Sequence, residues 1–116
     1  TTEKYLKNNP NTIFAFLKAM AEGVALSKKD PAVAKKAIGK YAKIDDAPTI
    51  DGTYDAFEPY WAMSLAVRPE AIKAQFEYID EKEFPNVKNA DPKDFYDNSF
   101  VDALTKSGFL KNLGMR

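Results

Sequence analysis

Proline sets the strongest constraint on the fold of this chain. Its seven prolines are spread along 116 residues, and four follow or nearly follow a residue suited to open a helix. Proline lacks a backbone N–H and has a preset φ, so it breaks strands and helix interiors but fits the first helical turn. Asn9-Pro10, Asp30-Pro31, Asp46-Ala47-Pro48 and Arg68-Pro69 therefore mark four helix starts. Between them the apolar residues repeat with a helical period. Ile13, Leu17, Met20 and Val24 recur at spacings of four, three and four, with Phe14, Phe16 and Ala21 beside them. This pattern predicts a helix from Pro10 to about Lys29. Gly23 inside it is read as a site of close helix packing.

The next helix opens at Pro31. Ala34, Ala37, Ile38 and Tyr41 share its apolar face, Val33 lies at the edge, and Lys35, Lys36, Lys40 and Lys43 turn mostly to water. The third places Ile50, Tyr54, Phe57 and Trp61 at spacings of four, three and four and ends or kinks near Pro59. The fourth runs from Pro69 to about Lys82 along Ile72, Phe76 and Ile79. Residues 84–97 are polar and rich in turn formers, with Phe95 and Tyr96 pinning them to something apolar. Asn98 or Ser99 then caps a last helix through Lys106, with Phe100, Ala103 and Leu104 inward and Gly108 as its C-terminal stop. No segment sustains period-2 alternation. The expected fold class is all-α: a single unit over residues 1–116, with four to six helices and an ordered polar loop.

Composition narrows the chemistry. There is no histidine and no cysteine, so imidazole bases, Ser-His-Asp triads, thiolate nucleophiles, disulfides and Cys/His metal sites are excluded. Seventeen basic and seventeen acidic residues balance, which leaves no electrostatic footprint for nucleic acid. No catalytic residue, metal ligand or cofactor is assigned, and the chain is not expected to be an enzyme. Asp51, Asp55 and Glu58 share a helical face but are read as solvated. Asp91, Asp94, Asp97 and Asp102 lack the alternation, central Gly and terminal Glu of a calcium loop; Asp91 and Asp94 are read as helix caps. The lysines from Lys28 to Lys43 come without a Gly-rich phosphate loop and are read as a polar face. The densest aromatic cluster is Tyr54, Phe57, Tyr60 and Trp61. Adjacent aromatics cannot all enter one core, so Tyr60 and Trp61 are the candidate ligand-binding residues.

Taken in order, three stretches resemble the C-terminal portion of the substrate-binding proteins of ABC transporters, in the family that handles sulfonates, nitrate and thiamine precursors. They are Tyr5-Leu6-Lys7-Asn8-Asn9-Pro10 followed by Phe16-Leu17-Lys18-Ala19; Lys29-Asp30-Pro31-Ala32-Val33-Ala34 closing on Lys40-Tyr41; and Asp91-Pro92-Lys93-Asp94-Phe95-Tyr96-Asp97-Asn98-Ser99-Phe100 with Lys106-Ser107-Gly108-Phe109. The resemblance covers essentially the whole chain. It implies the helical C-terminal part of a two-lobed α/β periplasmic-binding-protein fold, located in the periplasm or outside the cell and at the membrane through an ABC permease. The implied partners are the N-terminal lobes of the parent protein, the permease and a small-molecule solute. Tyr5 and Leu6 already look helical, as expected of a piece of something longer. Such a piece is expected to leave apolar helix faces exposed, which also allows a homo-oligomer. The alternative expectation is a self-contained helical interaction module anchored by Tyr60 and Trp61.

Overall fold

A computed structural model describes residues 1–61 and 63–115. Among them there is no strand, and the chain is all-α. The α-helices are α1 (Glu3–Asn8), α2 (Pro10–Lys29), α3 (Pro31–Ala42), α4 (Ala47–Phe57), α5 (Pro69–Phe76), α6 (Ser99–Lys106) and α7 (Phe109–Asn112). Tight 3₁₀ turns span Glu58–Tyr60, Val87–Asn89 and Pro92–Phe95. The one helix beyond the expected range is the single turn α7, which Gly108 starts from a left-handed φ of 79°.

The proline starts fall where expected, but their capping varies. Asp30 Oδ1 accepts from the N–H groups of Ala32 and Val33 at 3.1 and 3.3 Å, and Asp46 Oδ2 accepts from Thr49 N–H at 2.9 Å. Asn9 does not cap α2. Its side-chain amide donates back to the Tyr5 carbonyl at 3.1 Å and closes α1 instead. Asn98 does not cap α6 either, and no Ser99 side-chain cap replaces it. The Asn98 amide pairs with both the N–H and the C=O of Val67, each at 2.9 Å, much as a neighbouring peptide group would. The freed Ser99 N–H is taken by Asp97 Oδ1 at 2.8 Å.

The helix predicted to reach Lys82 stops at Phe76. The chain tightens into i→i+3 bonds at Tyr78 and Ile79. Asp80 then accepts from Lys82 N–H through its side chain and from the Glu83 and Phe84 N–H groups through its carbonyl. A short polar side chain that bonds nearby backbone competes with the helical ladder and ends it.

α2 is the spine. At its middle Ala21 is fully buried against Val101 and Leu104 of α6, Leu110 of α7 and Met115. Phe14, Leu17, Val24, Met63, Leu65, Phe109 and Leu113 ring this core. Phe100 packs tilted against Phe14, with ring centroids 4.9 Å apart, while Ala103, predicted inward, faces solvent. A hundred-degree step per residue puts Val101 and Leu104 on one face and Ala103 off it. The α3–α4 pair packs beside α2, burying Ala34 and Tyr54. Close approach occurs at Gly39, where an added Cβ would lie 3.0 Å from Ile50 Cδ1 and 3.1 Å from the Ile44 carbonyl oxygen. At Gly23, the position expected to need a small residue, an added Cβ would meet nothing within 4 Å. A third cluster joins α5 to the polar segment through Phe76 and Phe95, with ring centroids 5.2 Å apart. Phe95 thus pins that segment to an apolar partner, as expected.

The resulting body is open. Its radius of gyration is 17.5 Å, against about 13 Å for a compact domain of this length. Phe16, Tyr41 and Phe57, all placed on apolar faces by their spacing, are mostly exposed, and Tyr78, Phe84 and Phe95 join them. The helical periods are right, but each helix has only part of its apolar face covered. Among the described residues no helix is long and apolar enough to cross a membrane.

Candidate functional site

Tyr60 and Trp61 sit where α4 gives way to the Glu58–Tyr60 turn. Pro59 cannot donate to the α-helical ladder, so the last turn tightens and releases Trp61 in extended backbone, with φ −65° and ψ 113°. Lys28 near the end of α2 anchors this turn. Its Nζ donates to Glu58 Oε1 at 2.8 Å and to the Glu58 carbonyl at 3.1 Å, and both side chains are mostly shielded from water. The Trp61 indole packs edge-on against Tyr54 at 5.5 Å. With Met20, Gly23, Val24 and Ser27 it lines a shallow hollow of about 290 Å³. Gly23 leaves room here rather than packing a helix close. Tyr60 does not line this hollow; its ring is 83% exposed. The structure therefore brings Trp61, but not Tyr60, to a concave surface. The hollow lies at the lower end of small-molecule site volumes, which start at about 300 Å³.

Lys28→Ala should release this turn. A part-buried charge-assisted bond contributes about 1.5–3 kcal/mol. We expect a stability loss of about 1–2 kcal/mol after relaxation. The single tryptophan reports it directly: Trp61 emission should shift to the red as its ring leaves Tyr54, whereas an unchanged spectrum would show that Lys28 does not hold the turn.

Of the three acidic residues read as solvated, Asp55 is exposed, whereas Asp51 and Glu58 each hold a lysine of a neighbouring helix. Asp51 accepts from Lys35 Nζ at 2.9 Å, tying α4 to α3, and Glu58 is engaged by Lys28. The Asp51 hydrogen bond holds the Lys35 ammonium above the ordinary lysine range, against the opposing effect of burial. Lys35 also lies 5.3 Å from the Tyr54 ring centroid, and Lys40 lies 5.1 Å from that of Tyr41. Lys28, Lys35 and Lys40 thus serve different neighbours. Among the described residues no group of three or more acidic side chains is placed to hold a metal ion.

Two members of the second acidic series cap turns, Asp91 and Asp97, while Asp94, expected to cap beside Asp91, accepts no capping bond. Asp91 Oδ1 accepts from Lys93 N–H at 3.0 Å, and Asp97 bonds Ser99 as above. Hydrogen bonds from Ser99 hold the Asp97 carboxyl below its ordinary range, and those from Thr49 do the same for Asp46. A lowered folded-state pKa contributes stability above the unfolded value of about 3.9 and loses it as pH falls through that value and the folded one. Urea midpoints should therefore drop below about pH 4, and the pair Asp46→Asn with Asp97→Asn should flatten that drop. An equally steep drop in the double variant would contradict this assignment.

A second concavity was not expected from sequence. A groove of about 1130 Å³ runs between α1 with the first half of α2 on one side and residues 94–101 on the other. Its lining includes the half-buried Leu17 and Leu65 and the exposed Tyr5, Phe16 and Phe95. It is assembled from three distant stretches, so no local motif announces it; the Phe95-Tyr96 pair is its one sequence trace. Comparison with protein-family profiles, curated proteins and solved structures gives no match to this chain.

Proposed function

We propose that this chain is the helical C-terminal part of an extracytoplasmic solute-binding protein that delivers a small molecule to an ABC permease. In this reading the chain has no catalytic step. Its helices buttress the lobes of the parent protein, whose closure around the solute is a property of the whole. The observation that carries the proposal is the uncovered apolar surface. Accessible area is 8899 Å², whereas a compact monomer of this mass exposes about 6,300 Å². An open frame with apolar faces on several sides suits a unit packed against a larger body better than one working alone. The ordered succession of the Asn9-Pro10, Asp30-Pro31 and Asp97-Asn98-Ser99-Phe100 motifs points to the same family.

The coding sequence upstream of Thr1 tests this. About two hundred residues of alternating strand and helix pattern behind a secretory signal are expected. A stop codon or an unrelated sequence there would overturn the reading. The second reading, a self-contained interaction module, is favoured by the exposed Tyr60 beside an anchored Trp61. An initiator Met directly upstream of Thr1 would select it.

A further inference from the structure

We propose that residues 69–95 form a hinged flap, latched at its base by the pairing of Asn98 with Val67, and that its swing sets the width of the groove beside α1 and α2. The chain leaves the body along residues 64–68 and returns along residues 96–98, and neither stretch has regular structure. Between these two stems lie α5, the turns of residues 77–91 and the Pro92–Phe95 turn. The flap is tied to itself: Phe76 meets Phe95, Glu81 pairs with Lys88, and Asp80 holds its own turn. Among the described residues its hydrogen bonds and ion pairs all stay within residues 68–95. The cluster around Ala21 takes its members from residues 14–24, 63–65 and 101–115, outside the flap. Only Phe76 and Val87 in the flap are buried. A stretch with so little buried apolar surface, and no polar tie to the main core, opens at lower free energy than that core.

One side chain closes the base. Asn98 accepts from the Val67 N–H and donates to the Val67 carbonyl, and so joins the two stems where a sheet would use a ladder. Both bonds lie at the surface, where water can replace them, so they break at modest cost. The body behind them does not depend on the latch: Leu65 packs against the core, and Val101 and Leu104 hold α6 to α2. The stems also form part of the groove. Leu65, Val67, Asp94 and Phe95 line it together with Phe16 and Leu17 of α2. Asp94 and Phe95 travel with the flap, whereas Leu17 and Leu65 stay with the core. Release of the latch lets the flap swing on its stems, which moves one wall of the groove and leaves the helices intact. A few residues at element ends absorb the change, as in other hinges. The inference rests on packing alone and fails separately from the solute-binding reading.

Native-state hydrogen exchange on the intact chain is the test. The amides of α5 are expected to exchange together, through an opening at least about tenfold more populated than that of α2. Asn98→Ala should raise the α5 opening about tenfold further, the order of the factor that two exposed neutral hydrogen bonds carry, and leave α2 unchanged. Distance measurement adds a readout of the groove itself. The chain has no cysteine, so nitroxide labels at Phe16→Cys and Asp94→Cys report on its two walls alone. Their distance distribution should broaden when Asn98→Ala is added. Exchange of α5 in step with α2 in the unaltered chain would overturn the flap, whatever the variants do. An Asn98→Ala change that speeds both helices alike, or neither, would overturn the latch. A label distance that Asn98→Ala leaves unaltered would overturn the moving wall.

Discussion

Leu110→Ala is expected to cost about 3–4 kcal/mol and to abolish cooperative thermal unfolding near room temperature. Leu110 is the largest fully buried side chain, 1% exposed, and it sits where α7 folds back onto α2 and α6. Its removal takes away the transfer free energy of three carbons and leaves a cavity. Neighbours cannot close that cavity cheaply, because Ala21 on the facing helix has no side chain to extend into it. A small domain has only about 5–15 kcal/mol in reserve, and an open one belongs near the low end. Urea denaturation followed by circular dichroism would measure the loss. A cost below about 1 kcal/mol would mean that the cluster around Ala21 is not the core of the fold.

The second large effect is a contrast between two glycines. Gly39→Val should destabilise by about 2 kcal/mol, because the new side chain overpacks a site already closed by Ile50 and by the Ile44 carbonyl. That carbonyl belongs to the turn that ends α3, where Ile44 N–H bonds back to the Gly39 carbonyl at 3.0 Å and Lys43 takes a left-handed φ of 55°. Little there can yield. Gly23→Ala should instead stabilise by up to about 1 kcal/mol, since helix propensity improves and the added methyl meets open space. Parallel chemical melts of the two variants decide the matter. The same sign for both would contradict the packing described here.

Those glycines also show what a sequence can and cannot disclose. Proline placement located the starts of α2 through α5 because its effect is local and steric. The apolar period located faces, and the buried Ala21, Ala34 and Tyr54 lie on them. Coverage of a face depends on where other helices come to rest, and spacing carries no information about that. Hence Gly23 looked like a packing site and is not, while Gly39, lost among alanines and lysines, is one. Asn98 shows a third limit. It has the residue type of a cap, yet a partner thirty-one positions away takes its side chain. The candidate site was half legible. Adjacent aromatics marked the Tyr60–Trp61 turn correctly as a place where rings diverge, but the larger groove joins residues too far apart to form a pattern.

This chain folds as an open helical frame that leaves much of its apolar surface uncovered. Small-angle X-ray scattering on the dilute protein measures this openness. The expected result is a monomer with a radius of gyration near 17.5 Å. A value near 13 Å, that of a compact domain of this length, would contradict it.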